Sequence, residues 1–174
     1  TDRTTYITEE IFKALESNPS VKFKTVRAGD TLSFAEGITC QFIGPLRLYK
    51  DTGSDENNSS TAIRVVAGDI SFLFTGDAQI HAELDFMGYG KAIKSTVMKI
   101  PHHGSTSSSS KPFLDIVMPD AGIVSCGRYN PYGFPNFEII RRYENRGAKV
   151  YRTDLEGNIE VISDGRNYEV LTEK

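Results

Sequence analysis

Phe72-Leu73-Phe74-Thr75-Gly76-Asp77 and, further on, Lys99-Ile100-Pro101-His102-His103-Gly104-Ser105 decide how this sequence is read. Residues 70–75 are apolar enough for a buried strand, and the strand stops at a carboxylate, Asp77, directly ahead of an expected helix over 78–87. A second strand, over 96–100, stops at the paired histidines. Strand, acid, helix, strand, histidines is a β/α order, and in such sheets the loops at the carboxyl ends of strands aim several side chains at one point. Zinc accepts carboxylate oxygen and imidazole nitrogen, and one carboxylate can bridge two ions about 3.5–4 Å apart. Against this stand ordinary roles. Asp after Thr-Gly is a common helix N-cap, and neighbouring histidines are often loop or core residues.

The flanking sequence extends the same architecture. Upstream, an amphipathic helix over 8–17 is capped by Thr8 and places Ile11, Phe12 and Leu15 on one face. Strands over 21–27, 31–34 and 38–43 follow, separated by Ala28-Gly29-Asp30 and Glu36-Gly37, and read as an antiparallel meander. A polar run over 51–60 leads into a hairpin, 61–67 and 70–75, turning at Gly68-Asp69. Downstream of the histidines, the serines at 107–110 read as a solvated loop capping a helix over 109–116, with phosphate contact the competing reading. A strand over 121–125, a helix over 135–146 and strands over 148–152, 158–163 and 168–171 complete the order, the last two joined at Asp164-Gly165. The result is an α/β mixed sheet with helices on one side.

With 174 residues and 39% hydrophobic side chains, the chain is long enough for one domain, 1–174, with a real core. A net charge of -3 and a pI near 5.6 argue against a broad basic surface gripping nucleic acid. Cys40 and Cys126 lack the spacing of a zinc knuckle or redox pair and read as buried thiols. No stretch approaches the roughly 18 consecutive apolar residues of a membrane span.

Asn57-Asn58-Ser59-Ser60 before a hairpin, the Thr-Gly-Asp and His-His-Gly-Ser motifs, and Tyr151-Arg152-Thr153-Asp154 near the end together resemble the metallo-β-lactamase-fold hydrolases related to the bacterial competence protein ComEC. The resemblance implies half of an αββα sandwich and, in the intact protein, two divalent metal ions, zinc favoured and manganese the alternative. It makes Asp77 the bridging carboxylate and His103 a ligand of one ion, leaving His102 to orient substrate or donate a proton.

Two departures accompany it. The family's His-x-(His or Asp)-x-Asp-His motif is absent, and the remaining histidine, His81, falls on the helix after Asp77. The chain therefore reads as the C-terminal portion of the fold, with the remaining ligands expected on an N-terminal segment. Secondly, Tyr132-Gly133-Phe134-Pro135 stands where relatives read Tyr-Gly-His-Pro, so Phe134 offers an apolar wall or a surface for a substrate ring. The function implied is metal-dependent hydrolysis of a phosphodiester, either a small phosphoester or single-stranded DNA. The alternative is a metal-deficient binding or structural domain that keeps the fold. Localisation, on the cytoplasmic or the outer side of the bacterial membrane, stays open.

Overall fold

A computed structural model describes residues 6–22 and 24–174. Seven strands form one mixed sheet in sequence order: β1 (Thr31–Ala35), β2 (Ile38–Gly44), β3 (Ala62–Ala67), β4 (Ile70–Phe74), β5 (Val97–Lys99), β6 (Ala121–Val124) and β7 (Lys149–Arg152). The first four pair antiparallel and β4 to β7 pair parallel. In the antiparallel half, β1–β2 and β3–β4 turn through the short Glu36-Gly37 and Gly68-Asp69 loops, while a longer segment joins β2 to β3. Parallel neighbours need crossovers, which α3 (Ile80–Phe86), α4 (Lys111–Val117) and α5 (Phe137–Glu144) supply. The earlier helices are α1 (Tyr6–Glu16) and α2 (Asp55–Asn58); after β7 come α6 (Thr153–Glu156) and a separate hairpin, β8 (Ile159–Ser163) with β9 (Tyr168–Thr172).

Strand alternation sorts the sheet into two unlike faces. Ile43, Ala62, Leu73, Met98 and Val124 pack with Phe86, Phe113, Leu114, Ile139 and Tyr143 of the crossover helices into the buried core. Burying a side chain such as Leu73 or Phe113 contributes about 1.5–3 kcal/mol. On the opposite face Ile63, Val65, Phe72 and Ile123 are half-buried and Phe74 is exposed. The β8–β9 hairpin reaches the sheet at the β3–β4 turn, where Asp69 N–H donates to Gly165 O at 2.7 Å.

The expected α/β sheet with helices is present, and several boundaries differ. Helix α1 starts at Tyr6, so Thr8 lies inside its first turn rather than capping it, and none of its residues is buried. The strand expected over 21–27 is not formed at 21, 22 or 24–27, and Phe23 lies outside the described residues. A strand needs a partner's hydrogen bonds as well as an alternating pattern, and here Arg27 N–H bonds instead to the Asp30 carboxylate of the following turn. Among the described residues no helix is long and apolar enough to cross a membrane.

Candidate metal centre

The candidate site lies along the carboxyl ends of the parallel strands. Asp77 follows β4, His102 and His103 follow β5, the Ser125–Phe134 loop follows β6, and Arg152 and Asp154 lie at the end of β7. Asp77, His102, His103, Ser125, Cys126 and Phe134, together with Gly127, Asn130 and Tyr132, line one cavity of about 630 Å³. His81 is exposed on α3 and is not among the lining residues.

Each loop is fixed by its neighbours. Buried Asn58 accepts hydrogen bonds from the Gln79 and Ala82 N–H groups at the start of α3, and Ser60 Oγ accepts from Asp77 N–H at 3.1 Å. Thus Asn57-Asn58-Ser59-Ser60 positions the Thr-Gly-Asp turn. His102 N–H donates to Gly76 O, and Asn136 N–H donates to Gly104 O, tying the histidine loop to the turns on either side. A Cβ on Gly104, where φ is +82°, would collide with Pro135. His102 and His103 also have positive φ, 47° and 54°, a conformation uncommon outside glycine and one that persists only where surroundings enforce it.

The hydrogen-bond pattern separates the two histidines. His103 Nδ1 lies 2.6 Å from Ser125 O. A carbonyl only accepts, so Nδ1 is the donor, and in the neutral imidazole that a metal requires the lone pair is on Nε2. Nε2 is 3.9 Å from Asp77 Oδ1. An ion about 2.0–2.2 Å from each atom would fit between them, and a ligand imidazole whose other N–H donates to a carbonyl is the usual supporting arrangement. His102 Nδ1 instead meets Ser107 Oγ at 3.2 Å. Among the described residues no three His, Cys, Asp or Glu side chains come together as a metal cluster. Asp77 and His103 therefore fit a metal in donor type and separation, but are too few to complete a three- or four-ligand centre.

Other groups at the site are structural or had no sequence signal. Cys126 is half-buried rather than buried; loss of hydration, reinforced by its hydrogen bond to Asp154, pushes its thiol up to about 11. Asp154 is in turn held by both Arg152 Nε and a second guanidinium nitrogen. Lys99, half-buried nearby, is pushed down by lost hydration and held up in part by Asp77. Asn130 escaped the sequence reading, yet its amide donates to Gly127 O and Phe134 O and accepts from Phe134 N–H, clamping the loop. The serines at 107–110 are not a solvated loop: Ser108 and Ser109 are buried, Ser108 Oγ donates to Ala78 O, and Ser110, at the α4 N-cap, makes no side-chain capping bond.

Mixed sheet, crossover helices and strand-end acid and histidine place the chain in an α/β fold of the metallo-β-lactamase kind. A solved structure described as a metal-dependent hydrolase, from Parabacteroides distasonis, superposes with a TM-score of 0.52 at 11% identity, covering 86% of this chain and 62% of the other. No protein-family model matches. Competence protein ComA of Neisseria gonorrhoeae is 36% identical over 126 residues, 72% of this chain and 18% of the relative. ComE operon protein 3 of Bacillus subtilis is 32% identical over 152 residues, 87% and 19%, and Recombination protein 2 of Haemophilus influenzae is 34% identical over 129 residues, 72% and 15%. The chain is a homologue of the ComEC-like competence proteins, and it spans less than a fifth of the length of these relatives.

Proposed function

We propose that the chain carries part of the centre of a metal-dependent hydrolase that cleaves a phosphodiester. The observation that carries the reading is His103 Nε2, 3.9 Å from Asp77 Oδ1, with Nδ1 held by Ser125 O. Asp77 and His103 would hold divalent metal, zinc or manganese, and the remaining donors would come from outside the described residues. When bound, the metal would supply an activated water and neutralise charge on the phosphoryl oxygens. His102, on the same loop but directed to Ser107 Oγ, would pass a proton to the leaving oxygen.

Metal content and phosphodiester hydrolysis of the intact protein, with and without added manganese or zinc, test this together. Asp77→Asn and His103→Ala should lose bound metal. His102→Ala should keep it while kcat falls by about 10²–10⁴-fold. Retained metal in both Asp77→Asn and His103→Ala would refute the assignment. A second reading, a binding or structural domain without catalysis, is favoured by the two-donor set among the described residues and by Phe134. Two metals per intact protein would exclude it, and a metal-free intact protein would establish it over the first.

A further inference from the structure

Three rings run in near-parallel succession outward from the candidate centre. His103 and Phe134 have centroids 6.5 Å apart with planes 20° from parallel, and Phe134 and Tyr132 follow at 5.7 Å and 21°. Both spacings are those of offset aromatic stacking. Tyr132 is 75% exposed although one of its faces is covered by Phe134, so its other face is open to solvent. The loop is held by the three Asn130 bonds and by Asn136 N–H on Gly104 O, leaving Tyr132 exposed on a fixed backbone with half-buried Phe134 behind it.

We propose that Tyr132, backed by Phe134, is a stacking shelf for a base of a single-stranded polynucleotide, which holds the strand against the cavity that Asp77 and His103 also line. The proposal rests on the phosphodiester reading above and adds the residues that choose the substrate. Parallel rings presenting one flat face suit a planar partner. A quaternary ammonium is held by ring faces converging on a point, which this row lacks. Bases in a duplex already stack on each other, whereas those of a single strand are free to stack on protein. The net charge of -3 leaves little general attraction for phosphate, so base stacking supplies a large share of the affinity and the salt dependence is shallow.

Fluorescence anisotropy of the intact protein in chelator, which keeps the strand whole, would compare two labelled probes of about 12 nucleotides: a single-stranded DNA and an abasic strand with the same phosphates. The base-bearing strand should bind more tightly. Tyr132→Ala should weaken it about 5–150-fold, the equivalent of stacking one base, leave the abasic strand unchanged, and preserve the melting temperature because the side chain is exposed. Tyr132→Phe should retain binding, and Phe134→Leu, which keeps apolar volume without a ring, should weaken it. Equal binding of the two probes, or unchanged binding by Tyr132→Ala, would overturn the shelf. Metal-dependent hydrolysis with equal binding sinks the shelf alone, whereas base-dependent binding without hydrolysis by the metal-loaded protein sinks the hydrolase reading and leaves the shelf standing.

Discussion

At His103 the two ring nitrogens meet different neighbours, Nδ1 a backbone carbonyl just after β6 and Nε2 the Asp77 carboxylate. The strand-end position of the paired histidines was legible, but which neighbour each ring nitrogen meets was not, because no side-chain pattern announces where a carbonyl will fall. Cys126 was misread for a related reason: its apolar strand context was plain, while the cavity beside it is made by loops distant in sequence. Its thiol is held protonated by lost hydration first and by Asp154 second. At pH 8 it should therefore react with iodoacetamide far more slowly than a free cysteine, accelerating only as pH climbs towards about 11. Ready alkylation at pH 8 in the folded protein would contradict the assigned environment. Thr75, just before the Gly76-Asp77 turn, has the single buried side-chain polar atom without a hydrogen-bond partner among the described residues. An unpaired buried hydroxyl costs stability, so the isosteric Thr75→Val should raise unfolding free energy by about 1 kcal/mol. A loss of similar size in denaturant melts would show that the hydroxyl is paired in solution.

Helix α4 shows how an element can be foreseen and its anchor missed. Its Pro112 and following apolar residues mark a helix, and the preceding serines look like its caps. The capping is done instead by Glu83 of α3, whose two carboxylate oxygens accept the N–H groups of Ser109 and Ser110, the latter at 2.8 Å. Glu83 is fully buried, and an acid facing the core of a short helix carries no sequence mark of its target. Lost hydration raises its pKa, outweighing the stabilisation from the Ser109 and Ser110 bonds and from Arg142. A raised folded pKa means that the folded state takes up the proton more readily. The associated stabilisation is complete below the unfolded carboxylate pKa and fades as pH rises through the elevated folded value. Glu83→Gln should abolish that component of the pH dependence. It should also lower stability by about 1–3 kcal/mol near neutrality, since one amide edge then presents a donor to a buried backbone N–H. Chemical denaturation of both proteins across mildly acidic to neutral pH would check each part, and parallel curves would remove Glu83 as the titrating group. Strands fared differently. The runs leading to Asp77 and to the histidines were legible because both are bounded by turn chemistry and find partners on either side in the sheet. The run over 21–27 alternates as well, but pattern alone cannot supply a neighbouring ladder.

Across the whole molecule, the two sheets meet where two glycine-containing turns touch. Gly68, in the β3–β4 turn, has φ of +59°, and Gly165, in the β8–β9 turn, has φ of +86°; each turn was visible in the sequence, but their contact was not. The backbones approach so closely that a Cβ on Gly68 would overlap Gly165 O and crowd Gly165 Cα. Those atoms are backbone, so no side-chain rotation relieves the overlap. Either the β3–β4 turn must shift, disturbing the strand that leads to Asp77, or the hairpin must lift and break the Asp69–Gly165 hydrogen bond. Gly68→Ala should therefore cost about 1–3 kcal/mol, combining left-handed backbone strain with the overlap. The route taken is visible in hydrogen exchange. If the hairpin lifts, the Asp69 amide and β8–β9 lose protection while β4 and the candidate centre keep theirs. If the turn shifts, protection falls along β3 and β4, and the separation between Asp77 and His103 loosens with it. Unchanged stability and exchange would mean that the hairpin does not rest on this turn, and that the contact between the sheets is made elsewhere.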